Sequence, residues 1–129
     1  MGSFYGVDGF PKREIYIEAA ETAARTFERA PTSDRKGMTN ASIRRLFNML
    51  KQTEQRIQGE RDGQQAFGLA RTAFYEFTRQ VEYQVRRQVV PDVFQEFVKA
   101  HLNLSTSSTK EFRGFVEYLT SIMARMRQK

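Results

Sequence analysis

Apolar residues recur at intervals of three and four along most of this chain, and nowhere do they alternate with the period of two that a half-buried strand requires. The longest stripe is Ala66, Ala70, Ala73, Phe74, Phe77, Val81 and Val85, reaching towards Val90 before Pro91 ends or bends the helix. A chain confined to that one periodicity can bury its apolar faces only helix against helix. The expected fold is all-α, a compact bundle of about five helices. No internal repeat divides it.

The punctuation of the pattern sets the helices. Pro11 suits a first helical turn, and Ile15, Ala19, Ala23, Phe27 and Ala30 then share a face before Pro31 stops the first helix. PTSDRKG reads as a loop, and Thr39 or Asn40 is a good N-cap for a second helix that fades near Gly59. GERDG separates it from the long third helix, and Pro91 can open a short fourth one carrying Val93, Phe94, Phe97, Val98 and Leu102. After the polar NLSTSST linker, Ser108 and Glu111 form a capping box for a fifth helix with Phe112, Phe115, Val116, Leu119, Ile122, Met123 and Met126 on its apolar face. The opening MGSFYGVDGF has three glycines and no period, and is expected to be a flexible arm over residues 1–10 ahead of one helical-bundle domain over 11–129. Phe4, Tyr5 and Phe10 of that arm would dock on a neighbouring subunit or stay disordered.

Composition narrows the function. At 129 residues the chain is long enough for an independent core, and eleven Phe with no Trp make that core Phe-heavy. The absence of Cys removes disulfides, thiol nucleophiles and Cys-ligated metals. No apolar run approaches the roughly 18 residues of a spanning helix, and neither a signal sequence nor a myristoylation signal opens the chain, so no membrane partner and a cytoplasmic location are expected. The net charge of +6 and a pI near 9.9, with Arg outnumbering Lys, favour polyanionic partners, because the guanidinium fork matches phosphate.

The charge is concentrated. Between Ile43 and Thr53, on the polar side of a helix whose apolar face is Ile43, Leu46, Phe47, Leu50 and Ile57, stand Arg44, Arg45 and Lys51 and no acid. At 100° per residue Arg44, Asn48, Lys51 and Gln55 line one flank, and Arg45, Gln52 and Arg56 the other. On the third helix Arg79 and Arg86 lie two turns apart, with Tyr83 beside them and Arg87 next in sequence. Arg donors near an aromatic ring and amide side chains are what phosphate and sugar contacts use. The plainer reading is surface ion pairing of Arg79 and Arg86 with Glu76 and Glu82, and simple helix-dipole complementation for Arg125, Arg127 and Lys129.

Catalytic signals are poor. His101 is the only histidine, and a lone His near a helix end is more often a cap or surface residue than a catalyst. There is no HExxH, no DxD and no Gly-rich phosphate loop, and Asp92, Glu96 and His101 have no further convincing ligand beside them. No enzymatic activity, metal or cofactor is expected. Met38, Met49, Met123 and Met126 read as gap-filling core or interface residues.

The ordered segments YIEAAETAARTF, MTNASIRRLFNML, VEYQVRR and FRGFVEYLTSIMARMR resemble the small subunit of type III-A (Csm) CRISPR effector complexes, from about Tyr16 onward. The chain departs from the family pattern at Arg86, where Gly often precedes the Arg, and in the acidic and aromatic pattern of the closing helix. The resemblance implies a non-catalytic helical subunit of an antiviral defence complex, which stacks on copies of itself and lines the guide RNA and target RNA duplex while other CRISPR effector subunits cut. Carried over by position, the RNA-binding residues are Arg44, Arg45, Lys51, Tyr83, Arg86 and Arg87, and helix geometry adds Arg79. Other readings are the type III-B (Cmr) small subunit, a structural adaptor for acidic protein partners, and a helix-turn-helix DNA reader using the third helix.

Overall fold

The computed structural model describes residues 2–30, 32, 38 and 40–126. Among these, helices α1 (Ala20–Arg29), α2 (Asn40–Gln58), α3 (Gly63–Arg86), α4 (Asp92–Ser105) and α5 (Thr109–Arg125) form the bundle, and there is no sheet. The expected five-helix, all-α architecture is thus what the chain adopts. The cap expected at Thr39, the stop at Pro31, most of the PTSDRKG loop, and Arg127 and Lys129 lie outside the described residues.

Phenylalanine holds the bundle together. Phe27, Phe74, Phe77, Phe94, Phe112 and Phe115 are fully buried, with edge-to-face contacts such as Phe74–Phe115 at 5.0 Å and Phe27–Phe94 at 5.1 Å between ring centroids. Each buried ring contributes about 1.5–3 kcal/mol of transfer free energy, and its edge-to-face partners add roughly 0.5–1.5 kcal/mol. The expected stripe of α3 is the one that is buried: Ala66, Ala70, Phe74, Phe77 and Val81. Asp62 caps that helix by accepting from the backbone N–H groups of Gln64 and Gln65.

Three features differ from expectation. The first helix enters through a π-helical segment, Glu14–Ala19, continuous with α1. A wider turn shifts the register, so Ala20, Ala24 and Phe27 are buried while Ile15, Ala19 and Ala23 are only partly covered. In that segment the Tyr16 hydroxyl donates to the Gly114 carbonyl oxygen at 3.0 Å, and burial pushes its pKa above the ordinary range.

Second, α3 stops at Arg86, short of Val90. Gln88 adopts the left-handed conformation at φ 64°, its N–H bonds to Val85 O at 2.9 Å, and Val89 N–H reaches Gln84 O at 3.1 Å. That is a Schellman turn with glutamine where glycine is usual. Pro91 then precedes α4 with an extended backbone.

Third, Phe4 does not sit on a free arm: its ring is 1% exposed and packs on His101, Phe115 and Tyr118 of its own bundle. Its N–H donates to Glu111 Oε1 at 3.2 Å, so the capping-box acid of α5 ties the N-terminal segment down while Ser108 Oγ accepts from Glu111 N–H at 3.1 Å. A turn at Gly6–Phe10, closed by Gly6 N–H to Phe10 O at 2.9 Å and Gly9 at φ 84°, brings Tyr5 opposite Pro11. Phe10, in contrast, is 70% exposed. His101 is also buried, in contact with the rings of Phe97, Tyr118 and Phe4, with Nδ1 2.7 Å from Phe97 O. It is neither a cap nor a surface residue, and burial lowers its pKa.

Candidate nucleic-acid interface

Helices α2 and α3 pack along their length, and their outward edges leave a groove lined by Ser42, Arg45, Leu46 and Met49 from α2 and by Gln80, Tyr83, Gln84, Arg87 and Val89 from α3 and its Schellman turn. Its volume is about 550 Å³. The apolar side chains at its floor keep the helices together, while Arg45 and Arg87 supply positive charge from opposite walls. Arg87 lies over the Tyr83 ring, 5.6 Å from its centroid. The left-handed Gln88 matters here, because the tight reversal it permits returns Val89 to the groove beside Arg87. A shallower hollow on the outer side of α2 adjoins it, lined by Arg44, Arg45, Asn48, Met49 and Gln52.

The seven residues singled out in the sequence separate into two sets. Arg45, Tyr83 and Arg87 converge on one groove, Arg44 opens on the adjoining hollow, and Arg79 is exposed one turn before Tyr83. Lys51 turns the other way, towards α5: its Nζ is 2.9 Å from Glu54 Oε1 and 3.9 Å from Glu117 Oε1. Glu54 is buried, and its hydrogen bond raises the Lys51 pKa. The acid-free window from Ile43 to Thr53 ends one residue before this partner. Arg86 pairs with Glu82 at 3.1 Å, the surface pairing that was the plainer expectation. Gln80 and Gln84 were missed, although their spacing from Tyr83 and Arg87 on one face was readable.

A second groove, between α1 and α4, is lined by Ala19, Ala23, Phe27, Val93, Phe97 and Tyr118 with Glu18 and Glu96 at its rim and no basic side chain. Among the described residues no cluster of three or more His, Asp or Glu could hold a metal ion, and no helix is long and apolar enough to cross a membrane.

Fold and groove together define a small, basic, all-helical bundle with positive charge gathered between its two longest helices. The Csm2 Type III-A family model matches residues 14–127, and the chain belongs to that family. It is a small subunit of a type III-A CRISPR complex, in a family of structural, generally non-catalytic subunits. The match takes in the whole α2–α3 groove. No curated protein and no solved structure matches the chain.

Proposed function

We propose that the chain is a non-catalytic RNA-binding subunit that lines the guide RNA/target RNA duplex through sequence-independent phosphate contacts in the cytoplasm, beside other CRISPR effector subunits and copies of itself. The observation that carries this reading is the facing of Arg45 and Arg87 across one groove with Tyr83, Gln80 and Gln84 between them. Guanidinium forks on opposite walls suit a backbone that presents phosphates at regular intervals, and amide side chains serve the sugar hydroxyls between. Arg44 and Arg79 extend the basic surface at either side. Lys51 and Arg86, held by acids of their own chain, are secondary contacts. Self-association is supported by apolar surface left open in two places: Val7 and Phe10 on the N-terminal turn, and the α1–α4 groove.

The test is the salt dependence of binding to a fluorescein-labelled RNA duplex of arbitrary sequence. Four phosphate contacts from Arg44, Arg45, Arg79 and Arg87 give a log–log slope of about −3.6 and a loss of about four-thousandfold between about 50 and 500 mM salt. Arg45→Ala should make the slope shallower by about 0.9, whatever the sequence. Equal binding at both salt concentrations would sink the proposal. Co-purification from the native host tests the assembly: guide RNA and further effector subunits should accompany the chain.

A further inference from the structure

Residues four apart along α3 alternate in kind from one end of the helix to the other: Phe67, Arg71, Tyr75, Arg79, Tyr83, Arg87. A row of this spacing is a surface ridge inclined about 26° to the helix axis, here roughly 30 Å long at 1.5 Å per residue. Arg71 sits 4.7 Å over the Phe67 ring and Arg87 5.6 Å over Tyr83. Tyr75 and Tyr83 are 52% and 55% exposed, in a chain that otherwise buries most of its large aromatic rings. Arg79, between them, is exposed, and among the described residues it pairs with neither Glu76 nor Glu82, the latter being the partner of Arg86.

Intrahelical cation–π pairs alone would explain Phe67–Arg71 and Tyr83–Arg87, as aromatic and cationic residues four apart are neighbours. They do not explain why Tyr75 and Tyr83 both keep more than half of their surface in water with Arg79 between them. The two rings are two turns apart, about 12 Å along the axis, far wider than the roughly 3.4 Å rise between stacked bases. Neighbouring bases of a duplex therefore cannot lie on both rings, and a duplex keeps its base faces covered in any case. An extended single strand can reach both, with an intervening phosphate beside Arg79.

We infer that this ridge is a stacking track for an unpaired RNA segment, Tyr75 and Tyr83 each taking the face of one base and Arg79 and Arg87 the phosphates between and beyond. The inference rests on the RNA-binding reading above and extends it: the arginines that meet duplex phosphates serve an unpaired strand as well, and the exposed rings of the α3 ridge add stacking that only unpaired nucleotides can use. Every base has a π-face, so the track is indifferent to sequence. The amides of Gln80 and Gln84 beside Tyr83 can donate or accept to any base edge, which keeps it so.

The experiment uses the full chain, a single-stranded RNA carrying 2-aminopurine, and an RNA duplex of equal length. Binding should quench the 2-aminopurine emission as the base stacks. Tyr75→Ala and Tyr83→Ala should each weaken single-strand binding roughly fivefold to a hundredfold with the salt slope unchanged, and Tyr75→Ala, which lies outside the α2–α3 groove, should leave duplex affinity within about twofold of the parent. Tyr75→Phe and Tyr83→Phe should restore single-strand affinity, since the ring face and not the hydroxyl is used. Arg79→Ala should instead reduce the single-strand salt slope by about 0.7. Unaltered melting of each variant shows that the exposed positions have not changed the fold. If both Tyr→Ala variants bind the single strand as the parent does while duplex binding stays salt-dependent, the track is refuted and the phosphate reading stands. If neither RNA binds in a salt-dependent way, both are refuted.

Discussion

Replacing Gly114 with alanine should destabilise this protein, although it removes a glycine from the middle of a helix. At an exposed helical position that change stabilises by about 1 kcal/mol. At 114 the new Cβ would lie 2.8 Å from Phe4 Cβ, 2.9 Å from its Cδ2 and 3.0 Å from its Cγ, whereas carbons in favourable contact stand about 3.5–4.0 Å apart. Rotating the ring does not relieve this, because the nearest atom is Phe4 Cβ itself. The ring is also packed against His101, Phe115 and Tyr118 at centroid distances of 5.9, 6.3 and 6.0 Å. Phe4 must leave its slot, forfeiting about 1.5–3 kcal/mol of burial and the bond from its N–H to Glu111. Net of the helix gain, the loss is about 1–2 kcal/mol, or several degrees in Tm for a chain of this length. Urea and thermal melts of four proteins decide it: the parent, Gly114→Ala, Phe4→Gly and the double variant. Glycine is required at position 4, since alanine keeps the colliding Cβ. In the Phe4→Gly background the same Gly114→Ala change should stabilise by about 0.5–1 kcal/mol. Should the alanine stabilise the parent, or cost the same in both backgrounds, the steric account of Gly114 is wrong.

Other outcomes follow from features away from that contact. Gln88→Gly should raise stability by about 0.5–1 kcal/mol in the same melts, because a side chain at φ 64° is strained and glycine is not. Burial holds the His101 pKa below its ordinary 6.5, so the unfolded chain takes the proton first. Stability should be full above about pH 6.5 and decline as pH falls below it, and His101→Gln should flatten that part of a Tm-versus-pH profile. Lys51→Ala should lower stability by about 1–2 kcal/mol, between an exposed pair and a fully buried one, since it leaves the buried Glu54 carboxylate unpartnered. Its RNA affinity should fall less than that of Arg45→Ala in parallel titrations.

Helix number and the apolar faces of α2, α3 and α5 were legible because periodicity is a local property, and each stripe needs only its own neighbours to be read. The phase of the first helix was not, as a π-helical turn leaves no mark on the apolar spacing and Tyr16 within it bonds to a carbonyl nearly a hundred residues away. Phe4 escaped for the same reason: nothing within MGSFYGVDGF says that a mid-helix glycine at position 114 leaves room for a ring. Of the candidate site, Arg45, Tyr83 and Arg87 could be named from residue type, but their convergence depends on the relative rotation of α2 and α3. The partner of Lys51, Glu54, stands three residues on in the same helix and was readable, whereas the approach of Glu117 from α5 was not. Gln88 in a left-handed turn was hidden because glutamine carries no conformational signal, whereas glycine there would have marked the end of α3.

The slot that Gly114 leaves for Phe4 also imposes an order on biosynthesis. Phe4 bonds to a residue 107 positions later, and its ring lies on Phe115 and Tyr118. At roughly 5–20 residues per second, translation separates the emergence of the two by about 5–20 s. Throughout that interval the N-terminal segment of the nascent chain has no α5 to receive it, and its aromatic side chains stay in water or with a chaperone. Seating Phe4 is therefore a late event, possible only once α5 has left the ribosome.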